Sequence, residues 1–190
     1  MAETPAYRLF IAVPVPDAAK RIAAAAFQPP PQVKAAIRLV QPGNMHLTLA
    51  FIGDLQVARI PDLTAELDKV PAQPPITLRL DCLGAFPTPR RARIVWAGPT
   101  APPAALMTLQ GKVSYALVKA GIRFDRKPFH PHLTIGRVRD SRRIDDLSPL
   151  LIGTPIEAAP EFTLDEFHLL RSELLRDGPH YSIVYTRRFT

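Results

Sequence analysis

The chain has 190 residues, of which 47% are hydrophobic and 22% charged, proportions typical of a globular protein with a hydrophobic core. Its net charge of +7 favours polyanionic partners such as nucleic acid, although a merely solvated basic surface would give the same value. The single cysteine, Cys82, excludes an internal disulfide and a multi-cysteine metal site.

Hydrophobic periodicity and turn signals predict a mixture of strands and helices. In chain order these are a strand over 7–15, a helix over 18–27, an extended segment over 35–40, a strand over 46–52, a helix over 61–70, strands over 76–83 and 94–97, a helix over 104–120, a strand over 132–138, a short helix over 145–151, and strands over 161–171 and 180–189. Gly121 ends the longest helix, and a turn at Asp177, Gly178 and Pro179 predicts a hairpin of the last two strands. Because strict alternation of strand and helix is missing, the predicted fold class is α+β with mostly antiparallel sheets.

A short pattern occurs once in each half of the chain. Residues 36–39 precede a block that begins at His46, and residues 121–124 precede a similar block that begins at His132. Ile37 lies nine residues before His46, and Ile122 lies ten residues before His132. We interpret the pattern as an internal duplication whose copies are related by a pseudo-two-fold axis.

Each block starts with histidine, an apolar residue, threonine and another apolar residue. Alternation along a strand places His46 and Thr48 on one face, and likewise His132 and Thr134. Imidazole, with an ordinary pKa of about 6.5, can give or take a proton, and a hydroxyl can donate a hydrogen bond to a phosphate oxygen. The doubled motif therefore predicts acid–base chemistry on a phosphate between the two histidines.

Arg137 is a weaker candidate for the same site. Arg137 could stabilise the same phosphate, but its odd spacing from Thr134 places it on the opposite strand face unless the strand bends after Gly136.

A rival interpretation is a zinc hydrolase with His46, His130 and His132 as ligands, which leaves the doubled threonine without a role.

The sequence also gives an expectation about location. The first residues lack the basic start and the apolar run of a signal peptide, and no apolar run approaches the roughly 18 residues that span a bilayer. We therefore expect a cytoplasmic protein that does not enter a membrane.

The motifs together resemble the two-histidine phosphoesterase superfamily, and most closely its RNA 2',3'-cyclic phosphodiesterases, also called 2'-5' RNA ligases. The resemblance extends over almost the whole chain and rests on RLFIAV at 8–13, NMHLTL at 44–49, RIVW at 93–96, PHLTIGR at 131–137 and GPHY at 178–181. It implies a bilobal α+β fold with the site in a central cleft, and one domain of two lobes over residues 1–190.

The resemblance also implies an activity that needs neither metal nor cofactor. The enzyme would hydrolyse the 2',3'-cyclic phosphate end of an RNA to a 2'-phosphomonoester, with weak reversible 2'-5' RNA ligation at the same site. His46 would be the proton donor and His132 the proton acceptor, although the symmetry of the motifs allows the opposite assignment. Thr48, Thr134 and Arg137 would bind the phosphate, and we expect a monomer.

Other functions remain open at this point. The substrate could be a small cyclic nucleotide or a 2'-5'-linked oligonucleotide, which the sequence does not separate from an RNA end. A non-catalytic RNA-binding module is also compatible with the basic charge, although intact motifs in both halves argue against lost catalysis.

Overall fold

The computed structural model describes residues 5–140, 146–176 and 178–189. The strands are β1 (Ala6–Val13), β2 (Ile37–Leu39), β3 (Leu47–Gln56), β4 (Ile76–Arg79), β5 (Cys82–Phe86), β6 (Ile94–Gly98), β7 (Leu133–Val138), β8 (Glu161–Leu164), β9 (Glu166–Leu175) and β10 (Gly178–Arg188). The helices are α1 (Asp17–Ala26), α2 (Pro31–Ala36), α3 (Ile60–Asp68), α4 (Ala104–Lys119) and α5 (Ser148–Leu151).

The strands form a large antiparallel sheet and a small one. The large sheet has the order β10-β9-β1-β3-β7-β6-β5, with β2 paired to β7, and the small sheet pairs β4 with β8. The predicted α+β class with mostly antiparallel sheets is confirmed, as is the hairpin of the last two strands. Asp177, in the predicted turn of that hairpin, lies outside the described residues.

A single residue pair joins the two halves of the large sheet. Leu47 of β3 pairs with Leu133 of β7, and both side chains are fully buried. On one side of this pair lie β1, β9 and β10, and on the other lie β6 and β5. The two lobes therefore meet at the strands that follow the two histidines.

The strands β3 and β7 repeat the same irregularity. Leu49 of β3 has no partner on β1, and Ile135 of β7 has no partner on β6, so each strand has a bulge three residues after its histidine. An extra residue in a strand reverses the later alternation of side chains. Phe51 and Arg137 are consequently exposed. In both strands the four preceding residues are, in chain order, buried, half-buried, buried and buried. This shared pattern supports the predicted duplication.

The core lies on the face of the large sheet opposite to the histidines. Leu9, Ile11 and Val13 of β1 point into it together with Leu47 and Leu133, and all five are fully buried. The helix α4 covers this face with buried side chains at Leu106, Leu109, Val113 and Leu117. Burial of one such side chain stabilises the fold by about 1.5–3 kcal/mol. Gly121 ends α4 with a φ of 64°, as predicted.

Several predicted boundaries are wrong. The extended segment predicted over 35–40 begins within the helix α2, because Pro31 occupies the first helical position and starts a helix that runs to Ala36. The strand β3 does not end at Gly53 but continues to Gln56, since Gly53 adopts a φ of 81° at a second irregularity.

The strand predicted over 76–83 is divided between the two sheets. Its first part is β4, which pairs with β8, and its last part belongs to β5, which pairs with β6. The strand predicted over 161–171 is likewise divided into β8 and β9. Of the helix predicted over 145–151, residues 148–151 form α5, and residue 145 lies outside the described residues. No helix in the described part of the chain is both long and apolar enough to cross a membrane.

Candidate functional site

The pairing of β3 with β7 brings the two motifs together. Since Leu47 pairs antiparallel with Leu133, the register places His46 across from Thr134 and Thr48 across from His132. The four side chains alternate with buried leucines and therefore share the open face of the sheet. In such a register the two histidines are diagonal neighbours, roughly 7–8 Å apart by standard sheet geometry and somewhat closer at their Cβ atoms.

Each histidine ring is held in the same way. The Nδ1 of His46 lies 3.2 Å from the carbonyl oxygen of Asn44, and the Nδ1 of His132 lies 2.8 Å from the carbonyl oxygen of His130. A carbonyl oxygen only accepts, so Nδ1–H donates in both cases and the proton of the neutral ring resides on Nδ1. The lone pair of each Nε2 is then free to accept or, once protonated, to donate a proton.

Aromatic side chains enclose the ring of His46. The ring of Tyr181 stands edge-on to it at 4.7 Å between centroids, and that of Phe10 at 5.7 Å. Burial is the main reason why the pKa of His46 is lowered to about 4, and the nearby positive charges of Lys20 and His168 act in the same direction. In the free protein the ring is therefore neutral at pH 7.

The ring of His132 has different neighbours but a similar environment. Phe86 lies edge-on to it at 4.9 Å, and Trp96 lies at 6.5 Å. Burial again lowers the pKa, and the hydrogen bond to the carbonyl of His130 opposes that shift. Two neutral imidazoles thus border the cleft, each able to take up a proton when an anion binds next to it.

Two cavities meet along the histidines. The central cavity, of about 290 Å³, is lined by His46, Thr48, Thr134 and Arg137, among others. The aromatic cavity, of about 920 Å³, contains His132 in its wall. Its other walls include Phe51, Phe86, Phe129, Arg91, Arg93 and Lys127. Thr48 lines both cavities, so all five residues singled out by the sequence border one continuous cleft.

Arg137 lies on the same face as Thr134. The bulge at Ile135 restores it to that face, one residue earlier than the bend after Gly136 that simple alternation would have required. Arg38 lies across from it on β2 and lines the same cavity. Arg38 is not among the residues predicted for the site, although its place in the repeated Ile-Arg pattern was a signal that could have indicated it.

The three histidines of the zinc interpretation do not form a metal-binding group. Within residues 5–140, 146–176 and 178–189, no cluster of three or more histidine, cysteine, aspartate or glutamate side chains could hold an ion. Phe86 packs against His130 and His132, while Phe10 and Tyr181 pack against His46. This aromatic packing suits histidine rings that use a free Nε2 for proton transfer.

Comparison with known proteins gives a consistent result. A family profile described as the 2'-5' RNA ligase superfamily matches residues 14–175. An RNA 2',3'-cyclic phosphodiesterase of Archaeoglobus fulgidus is 32% identical over 174 residues, which cover 92% of this chain and 96% of the relative. An enzyme of the same name from Escherichia coli is 30% identical over 177 residues, which cover 92% of each chain.

Solved structures share the fold over nearly the whole length. Escherichia coli LigT complexed with 3'-AMP superimposes with a TM-score of 0.80 at 28% identity, covering 98% of this chain and 99% of that one. A protein of Thermus thermophilus superimposes with a TM-score of 0.75 at 27% identity, covering 96% of this chain and 97% of that one.

Proposed function

Because the chain belongs to the 2'-5' RNA ligase superfamily, we propose that it hydrolyses RNA ends that carry a 2',3'-cyclic phosphate to 2'-phosphomonoesters. The observation that carries the proposal is the pair of histidines, each anchored at Nδ1 by the carbonyl two residues earlier and each directly before one of two adjacent strands that border one cleft. Relatives at about 30% identity over most of the chain bear the name of this activity.

In the reaction, water attacks phosphorus, a new P–O bond forms, and the bond from phosphorus to the ribose 3'-oxygen breaks. The attacking and leaving oxygens lie on opposite sides of phosphorus, so one histidine must stand on each side. We assign His132 as the acceptor of the water proton and His46 as the donor to the 3'-oxygen. The shorter hydrogen bond at Nδ1 of His132 supports this assignment, because a stronger bond there makes Nε2 more basic.

The remaining three residues act on the phosphate itself. The hydroxyls of Thr48 and Thr134 donate hydrogen bonds to its non-bridging oxygens, on which charge increases in the transition state. The guanidinium of Arg137, on the same face, adds a positive charge next to these oxygens. These side chains favour the transition state over the ground state, and the activity requires neither a metal nor a cofactor.

The aromatic cavity supports a second use of the same site. At about 920 Å³ it is much larger than a water molecule requires, and it borders the histidine that activates the nucleophile. In ligation an RNA 5'-hydroxyl replaces water beside His132 and attacks the phosphorus while the bond to the ribose 3'-oxygen breaks, and Phe51, Phe86 and Phe129 offer surfaces for its base. The product is a 2'-5' linkage, and we expect this reaction to be weak because water competes.

We further propose that residues 1–190 form one domain of two lobes, and that the protein acts as a monomer in the cytoplasm. One hydrophobic cluster with members in both lobes supports the first point. The half-buried thiol of Cys82, which forms no disulfide, fits a reducing compartment.

The decisive experiment is hydrolysis of an oligoribonucleotide that ends in a 2',3'-cyclic phosphate, in the presence of EDTA. We expect turnover to a 2'-phosphate, identified against authentic 2'- and 3'-phosphate standards. The variant with both His46→Ala and His132→Ala is the control for contaminating nucleases. Binding without turnover would favour an RNA-binding module, and turnover only of mononucleotides would favour a small cyclic nucleotide as substrate.

A further inference from the structure

A third cavity borders His46. It has a volume of about 330 Å³ and shares His46, Asn44 and Tyr181 with the central cavity. Besides the shared residues, its wall contains Lys20, His168 and His180. We call it the lateral cavity, and neither the acid–base reaction nor the phosphate contacts described above make use of it.

The duplication shows that this space is specific to one half of the protein. The threonine of the first motif pairs with Ala12, which in turn pairs with His168. At the equivalent positions of the second half, the threonine pairs with Trp96 and Trp96 pairs with Gly84. The indole of Trp96 lies directly over Gly84, where a Cβ atom would overlap it. The half with Ala12 and His168 thus keeps a basic cavity where the other half has a packed aromatic ring.

The charges around the lateral cavity favour an anion. Lys20 projects from α1 with only 13% of its side chain exposed, and its partner Asp17, at 3.3 Å, is largely in solvent. The Nε2 of His168 lies 2.8 Å from Glu166, whose other carboxylate oxygen lies 3.6 Å from the guanidinium of Arg188. Since Arg188 offsets Glu166 and solvent screens Asp17, Lys20 leaves positive potential in the cavity.

The direction of the reaction determines which part of the RNA lies here. The proposed proton donor, His46, must face the leaving 3'-oxygen, and so the terminal ribose lies on its side of the phosphorus. The 5'-phosphodiester of the same nucleotide is separated from the cyclic phosphate by that ribose alone. A cavity that adjoins His46 and has the nearly buried side chain of Lys20 in its wall is therefore in the right place for this second phosphate.

Building on the proposed function, we infer that the lateral cavity, with Lys20 and His168 in its wall, binds the phosphodiester on the 5' side of the terminal nucleotide. The substrate class is then an oligonucleotide end with at least one internal phosphodiester, in preference to a nucleoside 2',3'-cyclic phosphate. A charged hydrogen bond to this group increases kcat/KM about tenfold or more.

The test compares two substrates. One is adenosine 2',3'-cyclic phosphate with a free 5'-hydroxyl, and the other is the 3'-5' linked dinucleotide of two adenosines that ends in the same cyclic phosphate. The readout is the ratio of the two kcat/KM values within each variant, because an effect of Lys20 on the ionisation of His46 alters both values and cancels. We expect the wild type to prefer the dinucleotide about tenfold or more, and Lys20→Gln to lose most of this preference.

Lys34→Gln is the matched control, since Lys34 is an exposed lysine on α2 that lines none of the three cavities. This variant should keep the preference for the dinucleotide. That result would distinguish binding in the lateral cavity from general attraction of RNA to a basic protein. His168→Asn provides a second test if Lys20→Gln does not fold. Equal kcat/KM for both substrates in the wild type, or an unchanged ratio in both variants, would overturn the inference. Failure of the wild type to hydrolyse either substrate would instead refute the proposed function.

Discussion

Leu47 and Leu133 form the pair that joins the two halves of the large sheet, and each directly follows the histidine of its own motif. The core that buries these leucines therefore also fixes the relative position of the two imidazoles. A packed interior permits few alternative arrangements, so the geometry of the cleft is set before any ligand binds. This coupling is the physical reason for expecting strong effects from changes at the histidines.

Replacement of either histidine by alanine should reduce kcat by roughly two to four orders of magnitude, the usual cost of losing general acid or base help. The half-buried rings of His46 and His132 line the cleft and not the core, so both variants should fold, as melting temperatures can verify. The double variant should be little worse than either single one, because the two groups act in the same step. Single variants that keep more than half of the wild-type rate would rule out the two-histidine mechanism.

Removal of either threonine hydroxyl should have a smaller effect, and mainly on kcat. Thr48→Val and Thr134→Val preserve side-chain volume and delete one donor each to a phosphate oxygen, so we expect a loss of about tenfold or more. Thr163→Val, at an exposed strand position of the small sheet, is the matched control. A change confined to KM would mean that the hydroxyls bind substrate and transition state equally.

The site was more predictable from the sequence than the details of the strands. The doubled motif predicted four side chains that the structure brings into one cleft, because alternation within a strand is a local property, and the repeated flanks indicated that the two strands are equivalent. The position of Arg137 could not be derived in this way. It depends on the bulge at Ile135, which exists only in relation to β6, and β6 is remote in sequence.

Proline signals were the other source of error. Pro31 begins α2, but a proline is also common just after the end of a helix, and both uses are compatible with its fixed φ. The division of residues 76–86 between two sheets was likewise hidden, because alternation within β4 and β5 does not reveal which partner each strand has. Pairing between distant segments decides such cases.

Arg137→Ala should lower kcat/KM by about ten- to a hundredfold, the range for losing a hydrogen bond to a charged group. Arg137→Lys should recover only part of this loss, since an ammonium lacks the planar fork of the guanidinium. The control is Arg139→Ala, which removes an exposed arginine two residues further along that lines none of the cleft cavities. Equal losses in Arg137→Ala and Arg139→Ala would show that only overall charge matters.

The pH dependence should reflect the lowered pKa of His46. In the free protein its pKa is about 4, so the fraction with a protonated donor falls as the pH rises, while protonation of His132 removes the acceptor as the pH falls. The profile of kcat/KM, which reports the free enzyme, should be bell-shaped with its maximum on the acidic side of the ordinary histidine pKa of about 6.5. A flat profile between about pH 5 and 8 would contradict acid–base catalysis by these two groups.

Gly84→Ala should disturb the wall behind His132. A methyl group at residue 84 would overlap the indole of Trp96, which must then move away from the sheet. Because Trp96 packs against both His130 and His132, we expect a loss of about 1–3 kcal/mol in the free energy of unfolding, the usual cost of overpacking, together with reduced kcat.

Gly111→Ala is the control with the opposite expected effect on stability. Residue 111 lies within α4 with open space around it, so alanine should stabilise the helix by roughly 0.5–1 kcal/mol and leave kcat unchanged. Urea unfolding and steady-state kinetics on the two variants measure both effects, and a Gly84→Ala protein as stable and active as the wild type would show that the indole has room to move.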